Sequence, residues 1–205
     1  MESLALDKDN IILYVDRGEH VEICGINSLL EQIELKIPEY INSKKVGSLI
    51  SIALCGCEKL KKLILPGTIK KITERSIQGC NKLQEIILLE GVEEIGEYSF
   101  WGNYNVEKIT FPKSLKKIGN RAFPVCPKMT YLRLNEGLKE IEKNNFKFCN
   151  LKYLYIPSSL EEIGNNVLYG SKIEKTVFKG TEEKFKVIKE KFKNVDFGKL
   201  YFIAK

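Results

Sequence analysis

The segment CNKLQEIILLEGVEEIGEYSFWGN, residues 80–103, has a near copy of itself on either side. Equivalent segments begin at Leu60, Leu83, Val106, Met129, Leu151 and Ile173, spaced by 23, 23, 23, 22 and 22 residues. A fixed period of this length marks a chain built from one supersecondary unit used many times. Five columns are apolar in register. They run through Leu63, Ile86, Ile109, Leu132 and Leu154; through Leu65, Leu88, Phe111, Leu134, Ile156 and Phe178; and through Ile69, Val92, Leu115, Leu138 and Leu160. The last two run through Ile72, Ile95, Ile118, Ile141 and Ile163, and through Ile77, Phe100, Phe123, Phe146 and Leu168. A unit so short cannot bury five such side chains by itself, so successive units must stack and share one continuous core.

Within a unit, Leu63 and Leu65 alternate with Lys62 and Ile64, the spacing of a strand. Pro66, Pro112 and Pro157 then stop the ladder. The following stretch, Val92-Glu93-Glu94-Ile95-Gly96 in the quoted unit, reads as a second, shorter strand. One helical turn after it is expected to drive Phe100 and its equivalents into the core. The fold class is therefore a repeat solenoid, mainly β with some α, resembling a right-handed leucine-rich-repeat stack of coils.

The stretch VEKITFPKSLKKIGNRAFPVCPKM, residues 106–129, makes the resemblance specific: it looks like the BspA-like leucine-rich repeat family. The likeness covers about residues 35–205, because FKGTEEKFKVIKEKF followed by GKLYFIAK is similar to the helix-plus-strand cap that closes such arrays. It implies a right-handed stack with a parallel sheet along one side, in a family of surface-exposed interaction modules. Two departures stand out, Leu89 and Asn135, which occupy positions where proline is expected.

The array reads as a single domain with irregular ends: an N-terminal hairpin or cap over 1–34, an irregular first repeat over 35–59, regular repeats over 60–180 and a helix-strand cap over 181–205. IILYVDRGEHVEI reads as a hairpin turning near Arg17 and Gly18. Leu35, Ile37 and Pro38 begin a first repeat with about five extra residues before Val46, Leu49 and Leu54. Thr181 is a candidate N-cap with Glu182 and Glu183 in the first turn, and Phe185, Ile188 and Phe192 form one apolar stripe.

Composition narrows the function. The 205 residues, 43% apolar and 29% charged, can bury one sizeable core. The longest apolar run, Ile11 to Val15, is far shorter than the ~20 residues of a membrane helix. Met1 is followed by Glu2 and Asp7 and not by a basic region with an apolar run, so no secretory leader is visible. The net charge of +6 comes almost wholly from lysine, with arginine only at 17, 75, 121 and 133. Lysines mix with glutamates, as in the row Lys71, Glu94, Lys117, Glu140 and Glu162 where the signs mostly alternate, so no stripe of one sign forms for nucleic acid. Stacked coils would set these charges side by side and fix register.

Reactive groups are few. Cys57, Cys80, Cys126 and Cys149 share one column, interrupted by Asn103. Stacked about 4.8 Å apart, Cys57 with Cys80 and Cys126 with Cys149 are conceivable disulfides. The preferred reading is free thiols acting as small hydrophobes in a tight turn. There is no CxxC pair, and the one histidine, His20, lies far off in the N-terminal hairpin, so neither a metal site nor an oriented nucleophile is expected. No cofactor is implied.

What remains is the outward face of the long strands: Lys62 and Ile64, Glu85 and Ile87, Lys108 and Thr110, Tyr131 and Arg133, Tyr153 and Tyr155, Lys175 and Val177. Tyrosine and arginine are enriched at interface hot spots. Tyr131, Arg133, Tyr153 and Tyr155 should cluster on adjacent strands, with Ile64 and Ile87 extending an apolar strip towards the N-terminal end. Tyrosine also simply suits strands. The function expected is non-catalytic recognition of a protein or peptide. The alternative is an intracellular structural or regulatory subunit that holds or inhibits an enzyme through the same face.

Overall fold

A computed structural model of the chain describes residues 4–27, 33–123 and 125–203. The chain starts with β1 (Leu4–Leu6), β2 (Ile12–Asp16) and β3 (His20–Ile26), joined antiparallel. β4 (Glu34–Lys36) opens the repeats. β5 (Tyr40–Ile41) and β6 (Lys44–Leu49) form a hairpin whose central residues, Asn42 and Ser43, both have positive φ, as a tight hairpin turn requires. β6 pairs parallel with β3, so the extra residues of the first repeat belong to an N-terminal five-stranded sheet in the order β1-β2-β3-β6-β5.

Each later coil contributes a longer and a shorter strand. These are β7 (Lys62–Leu65) and β8 (Lys71–Ile72), β9 (Glu85–Leu88) and β10 (Glu94–Ile95), and β11 (Lys108–Thr110) and β12 (Lys117–Ile118). There follow β13 (Tyr131–Arg133) and β14 (Glu140–Ile141), then β15 (Tyr153–Ile156) and β16 (Glu162–Ile163), and β17 (Lys175–Lys179). The chain finishes with α1 (Glu182–Lys191) and β18 (Lys199–Ile203). The shorter strands form one unbroken parallel sheet, β8-β10-β12-β14-β16, in which Lys71, Glu94, Lys117, Glu140 and Glu162 are aligned. The charges pair as the register demands, with Lys71 at 2.8 Å from Glu94 and Lys117 at 3.2 Å from Glu140.

The five apolar columns fill the interior between the sheets. All their members are buried except Ile163, which is partly buried in the last short strand. Phe100, Phe123 and Phe146 stack like coins, with ring centroids 4.8 Å and 5.5 Å apart and planes within 11° of parallel. α1 seats Phe185 against Phe178 at 5.2 Å, with Thr181 Oγ1 accepting from the Lys184 N–H as its N-cap.

Two expectations are corrected. The turn before Phe100 is not a right-handed helical turn. In every coil one residue there takes a left-handed backbone, namely Ile52, Arg75, Tyr98, Arg121, Asn144 and Asn166. Reversing hand at that point lets the N–H of Ile77 reach Ser99 O at 2.9 Å and the N–H of Gly79 reach Trp101 O at 3.0 Å, so the third side of the stack also has coil-to-coil hydrogen bonds. Gly96 and Gly119 are needed for the close approach of coils beside it, because a Cβ would meet Ile72 O at 2.5 Å and Ile95 O at 2.8 Å.

The second correction concerns the long strands, which do not make one sheet. They make two parallel ones, β4-β7-β9-β11 and β13-β15-β17-β18. Among the described residues no backbone hydrogen bond joins β11 to β13. The seam is bridged by a side chain. In the earlier coil the Leu89 N–H donates to Leu65 O at 3.0 Å; at the equivalent place across the seam the Asn135 side-chain amide donates to Phe111 O. The amide reaches farther than a main-chain N–H, and proline at this position could supply neither donor.

Candidate partner-binding face

Tyr131, Arg133, Tyr153 and Tyr155 lie on β13 and β15, directly paired: Tyr131 opposite Tyr153 and Arg133 opposite Tyr155. Alternation along a strand sends Leu132, Leu154 and Ile156 into the core and these four outward. Tyr131 is 51% exposed and Tyr153 47%, whereas Tyr155 is half-buried. The Arg133 guanidinium lies 4.6 Å from the Tyr155 ring centroid. Burial first, and then the nearby Glu136 carboxylate, push the Tyr155 hydroxyl above the usual phenol range, while Arg133 opposes them.

Beside this cluster the seam opens a groove of about 600 Å³, lined among others by Lys108, Lys113, Tyr131, Arg133, Asn135 and Tyr155. Ile109, on the coil just before the seam, is the most exposed member of its column at 9%, which marks where the side-by-side cover of the core thins. The pairing of strands continues on the other side of the cluster: Tyr153 faces Lys175 and Tyr155 faces Val177, and β17 in turn sets Lys175 and Val177 beside Lys199 and Tyr201 of β18.

Ile64 and Ile87 are paired with each other and with Thr110 in the first sheet. They do not join the tyrosines, because β11 and the seam lie between. Tyr201, 37% exposed, extends the aromatic face and was missed in the sequence because GKLYFIAK reads as a closing strand and lies outside the regular columns. A second exposed aromatic pair, Phe148 and Tyr169, sits edge to face at 5.6 Å on the turned side of the coils, with the Lys147 ammonium near both rings. Phe148 has positive φ where Gly56, Gly79, Gly102 and Gly170 stand in other coils.

The description BspA type leucine rich repeat region matches residues 48–175 in six copies. The chain belongs to this family. A comparison with curated proteins finds no match. Among solved structures the BspA type chain is similar to the leucine rich repeat protein of T. pallidum, TpLRR, at 21% identity and a TM-score of 0.65 over 97% of this chain and 96% of that one. It is also similar to the pneumococcal vaccine antigen PcpA, at 21% identity and a TM-score of 0.70 over 90% of this chain and 51% of that one. A leucine-rich repeat protein from Bacteroides ovatus gives 20% identity and a TM-score of 0.59 over 95% of this chain and 66% of that one. These likenesses show the fold. Family and fold together fit a repeat module of the interacting kind.

In this BspA type chain the stacked cysteines Cys57, Cys80, Cys126 and Cys149 are free thiols. Cys57 and Cys80 touch, as do Cys126 and Cys149. The two sulfurs of the first pair lie 3.4 Å and 3.1 Å from Leu54 O, and their mutual contact lowers the Cys57 pKa while raising that of Cys80. Asn103, the interruption in the column, is buried and fully used: its Oδ1 accepts from the Cys80 N–H at 2.8 Å and its Nδ2 donates to Ile77 O and Phe100 O. The His20 ring packs over Gly47, where a Cβ would meet it at 2.8 Å. Among the described residues no group of three or more His, Cys, Asp or Glu is gathered as a metal would need, and no helix is long and apolar enough to cross a membrane.

Proposed function

We propose that the chain is a non-catalytic recognition module that binds a protein or peptide partner across the outward face of β13 and β15. The observation that carries this reading is the placement of Tyr131, Tyr153 and Tyr155 on the same paired strands as Arg133, which lies over the Tyr155 ring, beside an open groove. Rings held rigidly by a sheet offer large contact area at little entropic cost, and arginine stacked on one keeps its hydrogen-bond fork free for a partner. Ile64 and Ile87 form a separate apolar strip on the first sheet, which a longer partner reaches by crossing the seam.

The test is capture of partners from an extract with the intact chain, followed by titration of what is captured. Tyr153→Ala with Tyr155→Ala should weaken binding by more than about 2 kcal/mol and leave the circular dichroism spectrum intact. Glu93→Ala with Glu94→Ala, at the sheet of short strands, is the matched control. A partner that loses affinity only for the control would show that the wrong face has been chosen.

A further inference from the structure

The two four-stranded sheets present different chemistry outward. In the first sheet the first outward position reads Glu34, Lys62, Glu85 and Lys108. These charges neutralise one another, with Lys62 3.4 Å from Glu34 and Lys108 2.9 Å from Glu85. Across the seam the same position reads Tyr131, Tyr153, Lys175 and Lys199, and the next outward position reads Arg133, Tyr155, Val177 and Tyr201. Neither row contains a carboxylate.

The cations of the second sheet rest on rings instead. Arg133 lies 4.6 Å from the centroid of Tyr155, and Lys175 and Lys199 lie 4.3 Å and 5.4 Å from that of Tyr201. Among the described residues, no carboxylate comes within ion-pair distance of these three. An exposed cation over a ring gains about 0.5–1 kcal/mol and leaves its N–H donors for something else. The groove has more cations than carboxylates, with Lys108, Lys113, Arg133 and Lys179 against Glu90 and Glu136. Its carboxylates are engaged by the chain itself, Glu90 accepting from the Lys113 and Ser114 N–H groups and Glu136 from the Ser158 N–H and hydroxyl.

Resting on the reading that this face binds a partner, we propose that its occupant is an extended acidic polypeptide segment whose carboxylates are received by Arg133, Lys175 and Lys199. The charge complementarity asks for an anion, and the tyrosine rings with Val177 between them ask for apolar groups beside it. A polypeptide alternating acidic and apolar side chains supplies both. Phosphate polymers favour arginine forks, and this face holds a single arginine among lysines.

The test uses the full chain and a fluorescein-labelled decapeptide of alternating glutamate and alanine, with a lysine-alanine peptide and an oligothymidylate as comparison probes, read by fluorescence anisotropy. Lys175→Ser with Lys199→Ser should weaken the acidic peptide by about tenfold or more. Lys70→Ser with Lys116→Ser removes the same charge beside the sheet of short strands and should leave it nearly unchanged. Equal weakening by both pairs would reduce the effect to net charge and overturn the proposal. So would tighter binding of the oligothymidylate through the same lysines, or indifference to the acidic peptide. If Tyr153→Ala with Tyr155→Ala still abolishes capture of a partner while the acidic peptide is ignored, the face stands as the binding site and the acidic occupant falls.

Discussion

The side chain of Asn145, wholly buried, accepts a hydrogen bond from the Phe123 N–H of the preceding coil at 3.0 Å. Its amide donates to Gly119 O and Glu142 O, both at 2.9 Å, so one side chain ties two coils together at a level where the neighbouring columns are apolar. Asn103 does the same two coils earlier with different partners.

Replacing Asn145 by alanine therefore strands the buried Phe123 N–H and takes a donor from both Gly119 O and Glu142 O. Each such group costs about 1–3 kcal/mol, so Asn145→Ala should lower the urea midpoint clearly, whereas Lys139→Ala, whose exposed pair with Glu161 spans 3.9 Å, should barely move it. Equal midpoints would refute the coupling role.

Phe123 is the middle ring of the phenylalanine stack and also meets Phe111 edge-on at 5.9 Å. Phe123→Ala should cost about 3–5 kcal/mol and Ile118→Asp should unfold the array. Lys117→Ala, which loses its bridges to Glu140 and Glu142, should cost far less. Denaturation midpoints compare the three.

Gly119 lies where a Cβ would strike Ile95 O and Glu97 N of the coil before it, at 2.8 Å and 2.9 Å. Main chain cannot swing aside as a side-chain tip can, so Gly119→Ala should destabilise by about 1–3 kcal/mol. A neutral outcome, measured by thermal unfolding, would mean the coils can separate there at no cost.

The thiols should label in order of exposure. Cys55 reacts first in the native chain, while Cys80, Cys126 and Cys149 should react only on unfolding. Six labels after unfolding without reductant are expected. Four fewer would mean that Cys57 with Cys80 and Cys126 with Cys149 had been oxidised.

Glu22 accepts from Arg17 at 2.6 Å and from the Ser48 hydroxyl at 2.9 Å, and the arginine above all holds its carboxyl below the ordinary value of 4.5. A folded pKa below the unfolded one gives stability that is fully present above about pH 4.5 and is lost as the pH falls through the folded value. The N-terminal sheet should loosen on acidification through this range, and Glu22→Gln should flatten that part of the dependence. Amide exchange over β2 and β3 reports it.

The columns were legible because stacking forces every coil to place an apolar side chain at the same spot; Ile72, Ile95, Ile118 and Ile141 could be read straight from the period. Thr181 and the stripe of α1 were legible for the equally local reason that caps and helical faces leave residue-level marks. The seam was not. Ile109 and Leu132 keep their column identity across it, and the lost hydrogen bonds depend on how two coils are offset, which no residue type encodes. The left-handed corner was hidden too, because Arg75, Tyr98 and Arg121 stand where glycine would have announced it. Of the proposed face, the outward direction of Tyr131, Arg133, Tyr153 and Tyr155 followed from strand alternation, whereas the separation of Ile64 and Ile87 from them followed from the seam.

That seam also gives the molecule a preferred way to bend. On the side of the short strands, β12 and β14 are bonded without interruption, and the stack there behaves as a spine. On the side of the long strands, among the described residues no main-chain hydrogen bond joins β11 to β13, and the Asn135 amide on Phe111 O spans the gap. On that side a swing about the spine meets only that polar contact, so what resists it is the shared core, above all the Phe123–Phe146 stack and the Asn145 bonds to Phe123 N–H and Gly119 O. The array is in this sense two leaves on one binding, held closed by the rings between them, with its aromatic face at the inner margin of the second.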